Sequence, residues 1–273
     1  MNGLRVRKDM SLLGGADYYD GEDLSIIDIQ KKYKNLGDVA PIIKKSVFAK
    51  YPFPDIPGER YCPESVQMLN IAKAGYKYKW CRKPLMVSDY LEDGYTRNAY
   101  ESTRNNLRYM ALYYNAYVDV GLMDEKNRVS FVRLYYEQGK SREFSDVEIL
   151  GMLGAHEKIY FDIAKDYYEK ILLQIKKYIV SNNVRDCAIY GAGFNGHRIY
   201  YLMRKVGVEV RYFIDKGKTK DIIKTLQPSD NLPSVDLLFI SLVNGAENVR
   251  LKLESKDFFK KIVMSCDIDN FIL

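Results

Sequence analysis

The chain has 273 residues, 47% hydrophobic and 29% charged, with 42 basic against 36 acidic side chains and a net charge of +6. That balance excludes a disordered chain, and the even spread of charge, without a basic tail or stripe, argues against a nucleic-acid partner. No apolar run reaches the length that crosses a bilayer, and the length admits two domains.

The opening residues mix Arg5, Arg7, Lys8 and Asp9 with apolar side chains and lack the uninterrupted apolar core of a signal peptide. The expectation is a cytoplasmic protein. Its modest positive charge leaves room for attraction to phosphorylated ligands or to an anionic surface, so the inner face of the membrane is a second address. Cys62, Cys81, Cys187 and Cys266 are far apart and His156 and His197 are the only histidines, which favours reduced thiols over a metal cluster.

Residues 1–98 read as mixed α/β. Pro52, Pro54 and Pro57 remove donors and fix φ, so residues 51–58 form an ordered loop. Pro63-Glu64-Ser65 then opens a helix through Val66, Leu69, Ile71 and Ala72 that ends at Ala74-Gly75. Residues 76–80 and 85–90 alternate like two short strands joined by a turn at Lys83-Pro84.

Residues 99–182 contain no proline and read as three or four helices. Leu107, Met110, Ala111 and Tyr114 form one apolar stripe, and Ile159, Phe161, Ile163, Tyr167 and Ile171 suggest another. Ser145 and Glu148 have the spacing of a capping box. The tyrosines, 24 in all, fall largely on such helices, including Tyr109, Tyr113, Tyr114 and Tyr117, where packing is the simplest role.

Residues 183–273 alternate strand and helix. Cys187-Ala188-Ile189-Tyr190 is a strand, Ile199, Leu202, Met203 and Val206 mark a helix stopped by Gly207, and residues 208–214, 237–242 and 262–264 are further strands. This order gives right-handed parallel crossovers. Between the first strand and helix lies Gly191-Ala192-Gly193-Phe194-Asn195-Gly196. Gly191 suits a tight turn, Gly193 lets a phosphate approach, Gly196 allows close helix packing, and the helix end offers its amides, those of Asn195 included, to an anion. Asp215, 19 residues past Gly196, ends the second strand, where a carboxylate meets ribose hydroxyls. The unit is Rossmann-like and reads as roughly one mononucleotide half. His197 falls in the first helical turn as a solvated or capping residue.

Three stretches carry a family resemblance. They are residues 37–48 (Gly37-Asp38-Val39-Ala40-Pro41 onward), Tyr51-Pro52-Phe53-Pro54 with Gly58-Glu59-Arg60-Tyr61-Cys62-Pro63-Glu64, and residues 88–97, which hold Tyr90-Leu91-Glu92-Asp93-Gly94-Tyr95-Thr96. Together they resemble the second half of a bacterial family 2 glycosyltransferase domain, of the glycosyltransferase A fold, from about Asp17 to Asn98. The glycine-loop unit also resembles units of sugar-biosynthesis proteins. The fold expected is therefore α/β: a partial glycosyltransferase-like region, a helical middle and a C-terminal Rossmann-like parallel sheet.

The resemblance implies transfer of a sugar from a nucleotide sugar to a glycan acceptor in cell-surface polysaccharide synthesis. It puts Glu64 first and Glu59 second as the carboxylate that takes the proton of the attacking hydroxyl, and sets Asp38 in the acceptor pocket. Asp93 and Arg97 read as turn and surface residues. The family also implies a divalent metal, manganese or magnesium, held by an Asp-x-Asp in a preceding nucleotide-binding half. Some sixteen residues precede the matching part; Asp28 and the Asp267-Ile268-Asp269 triplet stand elsewhere, so the expectation is a chain whose donor site is missing and is supplied by a partner chain, or a truncated frame. The rivals are a non-catalytic nucleotide-binding module on the 191–196 loop and a nicotinamide-dependent sugar-nucleotide oxidoreductase. The second lacks a Tyr-x-x-x-Lys after the third strand.

Overall fold

Ser25 starts the first helix through its own side chain: its hydroxyl accepts the Asp28 N–H at 3.1 Å while the Asp28 carboxylate accepts the Ser25 N–H at 3.2 Å, a reciprocal cap. Such local signals place most elements of this computed structural model, which describes residues 1–13, 22–33, 38–89, 98–217, 222–229, 231–254 and 259–264. In chain order the elements are β1 (Asn2–Val6), β2 (Asp23–Leu24), α1 (Ile26–Lys32), β3 (Val39–Pro41), α2 (Lys45–Phe48), α3 (Glu64–Lys73) and β4 (Tyr78–Val87). The helices α4 (Ala99–Asn105), α5 (Leu107–Asp119), α6 (Glu125–Ser141), α7 (Asp146–Leu153) and α8 (Lys158–Ser181) follow. The chain then alternates through β5 (Asp186–Tyr190), α9 (Phe194–Lys205), β6 (Glu209–Ile214), β7 (Thr225–Leu226), β8 (Leu237–Ile240), α10 (Ala246–Glu254) and β9 (Ile262–Met264).

The chain is α/β and divides into two compact units. One comprises Met1–Tyr90, Asn106–Phe131 and Gly151–Ala155; the other comprises Leu91–Asn105, Val132–Leu150 and His156–Leu273. The helices of residues 99–182 are thus shared between the two. Among the described residues, no helix is long and apolar enough to cross a membrane.

In the first unit the sheet runs β2-β4-β1-β3, with β1 parallel to β4 and the two outer pairings antiparallel. Lys83-Pro84 is not a turn: β4 continues through it as one strand. Two circumstances tolerate the proline. Strand β2 covers only Tyr78 and Lys79, and the pairing with β1 slips on both sides of the Leu4–Pro84 pair, where Gly3 leaves room for Leu85. Ile26 and Ile29 of α1, Met68, Leu69 and Ala72 of α3, Tyr78 and Trp80 of β4 and Ala116 of α5 form a common core. Helix α3 begins at Glu64 after Pro63, and Gly75 adopts φ +84° just beyond it, as the sequence signals predict.

In the second unit the expected stripe of α8 is corrected. Ile159 is 71% exposed, and the buried residues are Phe161, Ala164, Tyr168, Ile171 and Ile175. Their spacing alternates three and four, the helical period, whereas 159, 161 and 163 advance by two. Residues 99–182 hold five α-helices rather than three or four. The Ser145–Glu148 box forms as expected, with reciprocal bonds of 2.8 and 3.3 Å. Beside it Asp146 joins Lys165 at 2.8 Å and Lys140 at 3.1 Å.

The second sheet is wholly parallel, in the order β7-β6-β5-β8-β9. The chain starts in the centre, builds outward to one side through β6 and β7, then returns to build the other side through β8 and β9. The topological switch therefore lies between β5 and β8. The reading of one half is corrected, since strands stand on both sides of the switch. Strand β7 is only Thr225–Leu226, too short to register as an apolar run. Ala188, Tyr212, Ile214, Leu238 and Ile240 bury one face of this sheet with Leu253 of α10.

Two outcomes test these assignments. A methyl at Gly196 would lie 2.0 Å from the Gly191 carbonyl oxygen, while one at Gly193 meets nothing within 4 Å. Gly196→Ala should lower unfolding free energy by about 1–3 kcal/mol in urea titration, and Gly193→Ala by less. Asp146 is held down at about 2 from 3.8, first by its Lys165 bond and then, against the opposing effect of burial, by Lys140 and Tyr136. A lowered carboxyl stabilises above its ordinary value, so this contribution is complete above 3.8 and fades as pH falls through about 2. The stability curves of wild type and Asp146→Asn should differ at neutral pH and converge at that acid limit.

Candidate functional site

The proline loop cannot join a ladder, so its polar groups are met by side chains. The Tyr109 hydroxyl donates to the Pro54 carbonyl at 2.7 Å and accepts the Ile56 N–H at 3.1 Å. Gln67 donates to the Tyr51 carbonyl at 2.7 Å. The buried Asn106, just before α5, accepts the N–H groups of Arg60 and Tyr61 at 2.6 and 3.0 Å. In return, the two Glu59 oxygens accept the Arg108 and Tyr109 N–H groups, each at 2.9 Å. Glu59 is therefore the cap of α5, its charge at the positive end of that helix. Both of its oxygens face backbone amides, a structural task that accounts for its position without proton transfer.

Glu64 also lies in the first turn of a helix, α3, but no backbone amide is bonded to its carboxylate among the described residues. It is exposed at the first position of α3 and lines a cavity of about 310 Å³. Asp38 lines the same cavity, so the structure brings together the two residues that the resemblance links, and leaves Glu59 outside. The cavity also takes in Arg5, Tyr61, Tyr113 and Tyr117. Arg5 is aimed by its Nε bond to the Ser88 hydroxyl at 2.7 Å and reaches within 3.7 Å of Asp38. The Tyr113 and Tyr117 rings pack at a tilt of 40° with centres 4.5 Å apart, one turn apart on α5. Burial, with Tyr117 beside it, pushes the Tyr113 hydroxyl well above its ordinary value, so it stays a neutral donor. Gln30 lies 3.4 Å from the Tyr117 hydroxyl.

Sequence reasoning missed Arg5, because nothing marks residues 2–6 as a strand until β4 is seen beside them. It read Tyr109, Tyr113, Tyr114 and Tyr117 alike as packing. Tyr114 is fully buried and Tyr109 ties the loop, while the other two border the cavity. Gly37, Asp93, Arg97 and the Asp267-Ile268-Asp269 triplet lie outside the described residues. The metal that the resemblance implies does not fit the residues seen. Asp28 gives its carboxylate to the Ser25 hydroxyl and amide, which hold it below its usual value, and among the described residues no group of three or more potential ligands gathers.

At the glycine loop, Gly191 adopts φ +96° and a methyl there would meet the Ser241 hydroxyl at 2.6 Å. That hydroxyl, at the end of β8, donates at 2.9 Å to the carbonyls of Tyr190 and Gly191. Gly193 is the N-cap of α9 and supplies no side chain to the first-turn amides; Asn195 is the second helical residue, half-buried. Asp215 reaches the loop as expected, but its carboxylate is engaged: Oδ2 accepts the Ala192 N–H and Oδ1 the Gly217 N–H, both at 2.8 Å. Each oxygen keeps a second lone pair for a hydroxyl. His197 is neither solvated nor a cap. It is buried with its ring stacked on Phe213 at 5.4 Å and Nδ1 3.3 Å from Glu101, because it points inward from α9. Burial raises the Glu101 carboxyl, but the His197 and Arg104 contacts outweigh it and hold the group below its usual value.

The chain matches no protein-family model, no curated protein and no solved structure.

Glu59→Ala should cost about 1–2 kcal/mol of stability, the loss of a charged helix cap. Glu64→Gln, at an exposed position, should change it by less than about 0.5 kcal/mol. Thermal unfolding of the two variants side by side checks this division of roles.

Proposed function

We propose that the first unit is the acceptor side of a glycosyl transfer, related to the family 2 glycosyltransferases of cell-surface polysaccharide synthesis. The observation that carries this reading is the shared cavity of Glu64 and Asp38. Its volume of about 310 Å³ accommodates a sugar ring, with Tyr61, Tyr113 and Tyr117 as apolar surfaces for the ring and Asp38 and Arg5 as hydrogen-bonding groups for its hydroxyls. In this reading Asp38 orients the acceptor. Glu64 accepts the proton of the attacking hydroxyl as the new glycosidic bond forms and the nucleoside diphosphate leaves. The donor nucleotide sugar is bound by residues other than those described, on this polypeptide or on a partner chain.

A second reading assigns the second unit to nucleotide binding. It is favoured by the uncapped start of α9 beside the β5–β8 switch, where parallel sheets of this order hold ligands.

Saturation-transfer NMR with oligosaccharides tests the first reading. Binding should fall about tenfold in Asp38→Asn, the loss of one charge-assisted hydrogen bond, and should persist in Glu64→Gln, whose role is proton transfer. In a thermal-shift panel, stabilisation by NAD or NADP alone, without oligosaccharide or nucleotide-sugar binding, overturns it.

A further inference from the structure

The second unit contains a cavity of about 460 Å³ that neither reading uses. Its wall is basic: Arg104, Lys140, Arg142, Arg204 and Lys205 line it with one carboxylate, Glu143. Two of the cations are already answered, Arg104 by Glu101 at 3.6 Å and Lys140 by Asp146 at 3.1 Å. Arg142, Arg204 and Lys205 remain against Glu143, a surplus of two positive charges. Lys205 has no hydrogen-bond or ion-pair partner among the described residues, and it and Arg204 are exposed. Helices α4, α6 and α9 all end at this wall with Arg104, Lys140, Arg204 and Lys205 in their last turns, and the roughly half negative charge at each helix end offsets part of that surplus.

The wall is also organised in advance. Arg104 donates through Nε to the Ser141 hydroxyl at 2.8 Å and through a terminal nitrogen to the Ser141 carbonyl at 3.1 Å. Arg142 donates back to the Arg104 carbonyl at 3.3 Å. The ends of α4 and α6 are thus cross-tied by reciprocal arginines, and Tyr201 of α9 holds the Arg104 guanidinium 4.0 Å from its ring centre. Like charges held together repel one another, so an anion that enters relieves a strain already present.

We propose that this cavity binds a phosphate-bearing ligand of at least two negative charges, a diphosphate being the class that fits. The size lies within the usual range of small-molecule sites, and the donors are the guanidinium and ammonium groups that recognise phosphate. Such a group is carried by a soluble diphosphate or by a lipid headgroup, and the two are separable. The inference does not rest on the glycosyltransferase reading.

Calorimetric titration of the full chain with inorganic pyrophosphate should show binding that weakens with salt and falls about tenfold or more in the Arg204→Ala/Lys205→Ala double variant. Lys205→Glu, which leaves Arg204 donating to the Tyr200 hydroxyl at 3.3 Å, should show the same loss. A charge-matched control in the other unit, Lys45→Ala/Lys50→Ala, should bind as wild type. Sedimentation with phosphatidylcholine vesicles with or without phosphatidic acid identifies the source. Phosphatidic-acid-dependent sedimentation lost in Lys205→Glu, without pyrophosphate binding, makes the ligand lipid-borne; pyrophosphate binding without sedimentation makes it soluble. Absence of both, binding that survives the Arg204 and Lys205 changes, or an equal loss in the control pair overturns the proposal.

Discussion

The exchange of backbone hydrogen bonds between the proline loop and the start of α5 is the constraint on which the first unit depends. Three prolines leave residues 51–58 no ladder to join, and α5 begins with amides that its own turns cannot satisfy. Glu59 and Asn106 meet both needs at once, each supplying acceptors to the other's segment. The loop leads directly into Pro63 and α3, so the same bonds set where Glu64 emerges. They also orient α5, whose next turns present Tyr113 and Tyr117 to the cavity. A hollow of about 310 Å³ is thereby bordered by residues from two strands, a loop and three helices.

The second unit solves a different problem. A parallel sheet is covered on its faces and must pass each strand to a helix through a short connection. Between β5 and α9 that connection is compressed until the Gly191 carbonyl sits under Gly196, and Ser241 closes the space from β8. Asp215 adds a bond from the end of β6. The loop is held from the strands on both sides of β5, which explains why glycine is needed at 191 and 196 while 193 faces open space.

The parallel sheet was largely legible in sequence, because β5, β8 and β9 hold apolar runs, β6 ends in one, and glycines mark the turns around α9. Strand β7 was not, since two residues carry no periodic signal. The first sheet was less legible. Its strands are short, irregular and partly charged, and Pro84 lies in a strand only because β2 stops early and β1 slips past it. Of the candidate site residues, the helix start at Glu64 was readable from Pro63, but its role, like that of Asp38, came only through the resemblance. Arg5, Tyr113 and Tyr117 depend on how distant segments pack. The local pattern treated Glu59 as an acid in a loop, because its partners lie 49 and 50 residues away.

Helix α9 joins two features that were described separately. Its first turn is wedged against the glycine loop, and its last turn supplies Arg204 and Lys205, with Tyr201 between them and the centre. Twelve residues make a rod of about 18 Å that does not bend without a cause such as proline, and this helix contains none. Its two ends therefore share one rigid-body position. The glycine loop and the basic wall are thus anchored on one continuous helix, whose inward face is fixed by the His197 and Phe213 ring stack.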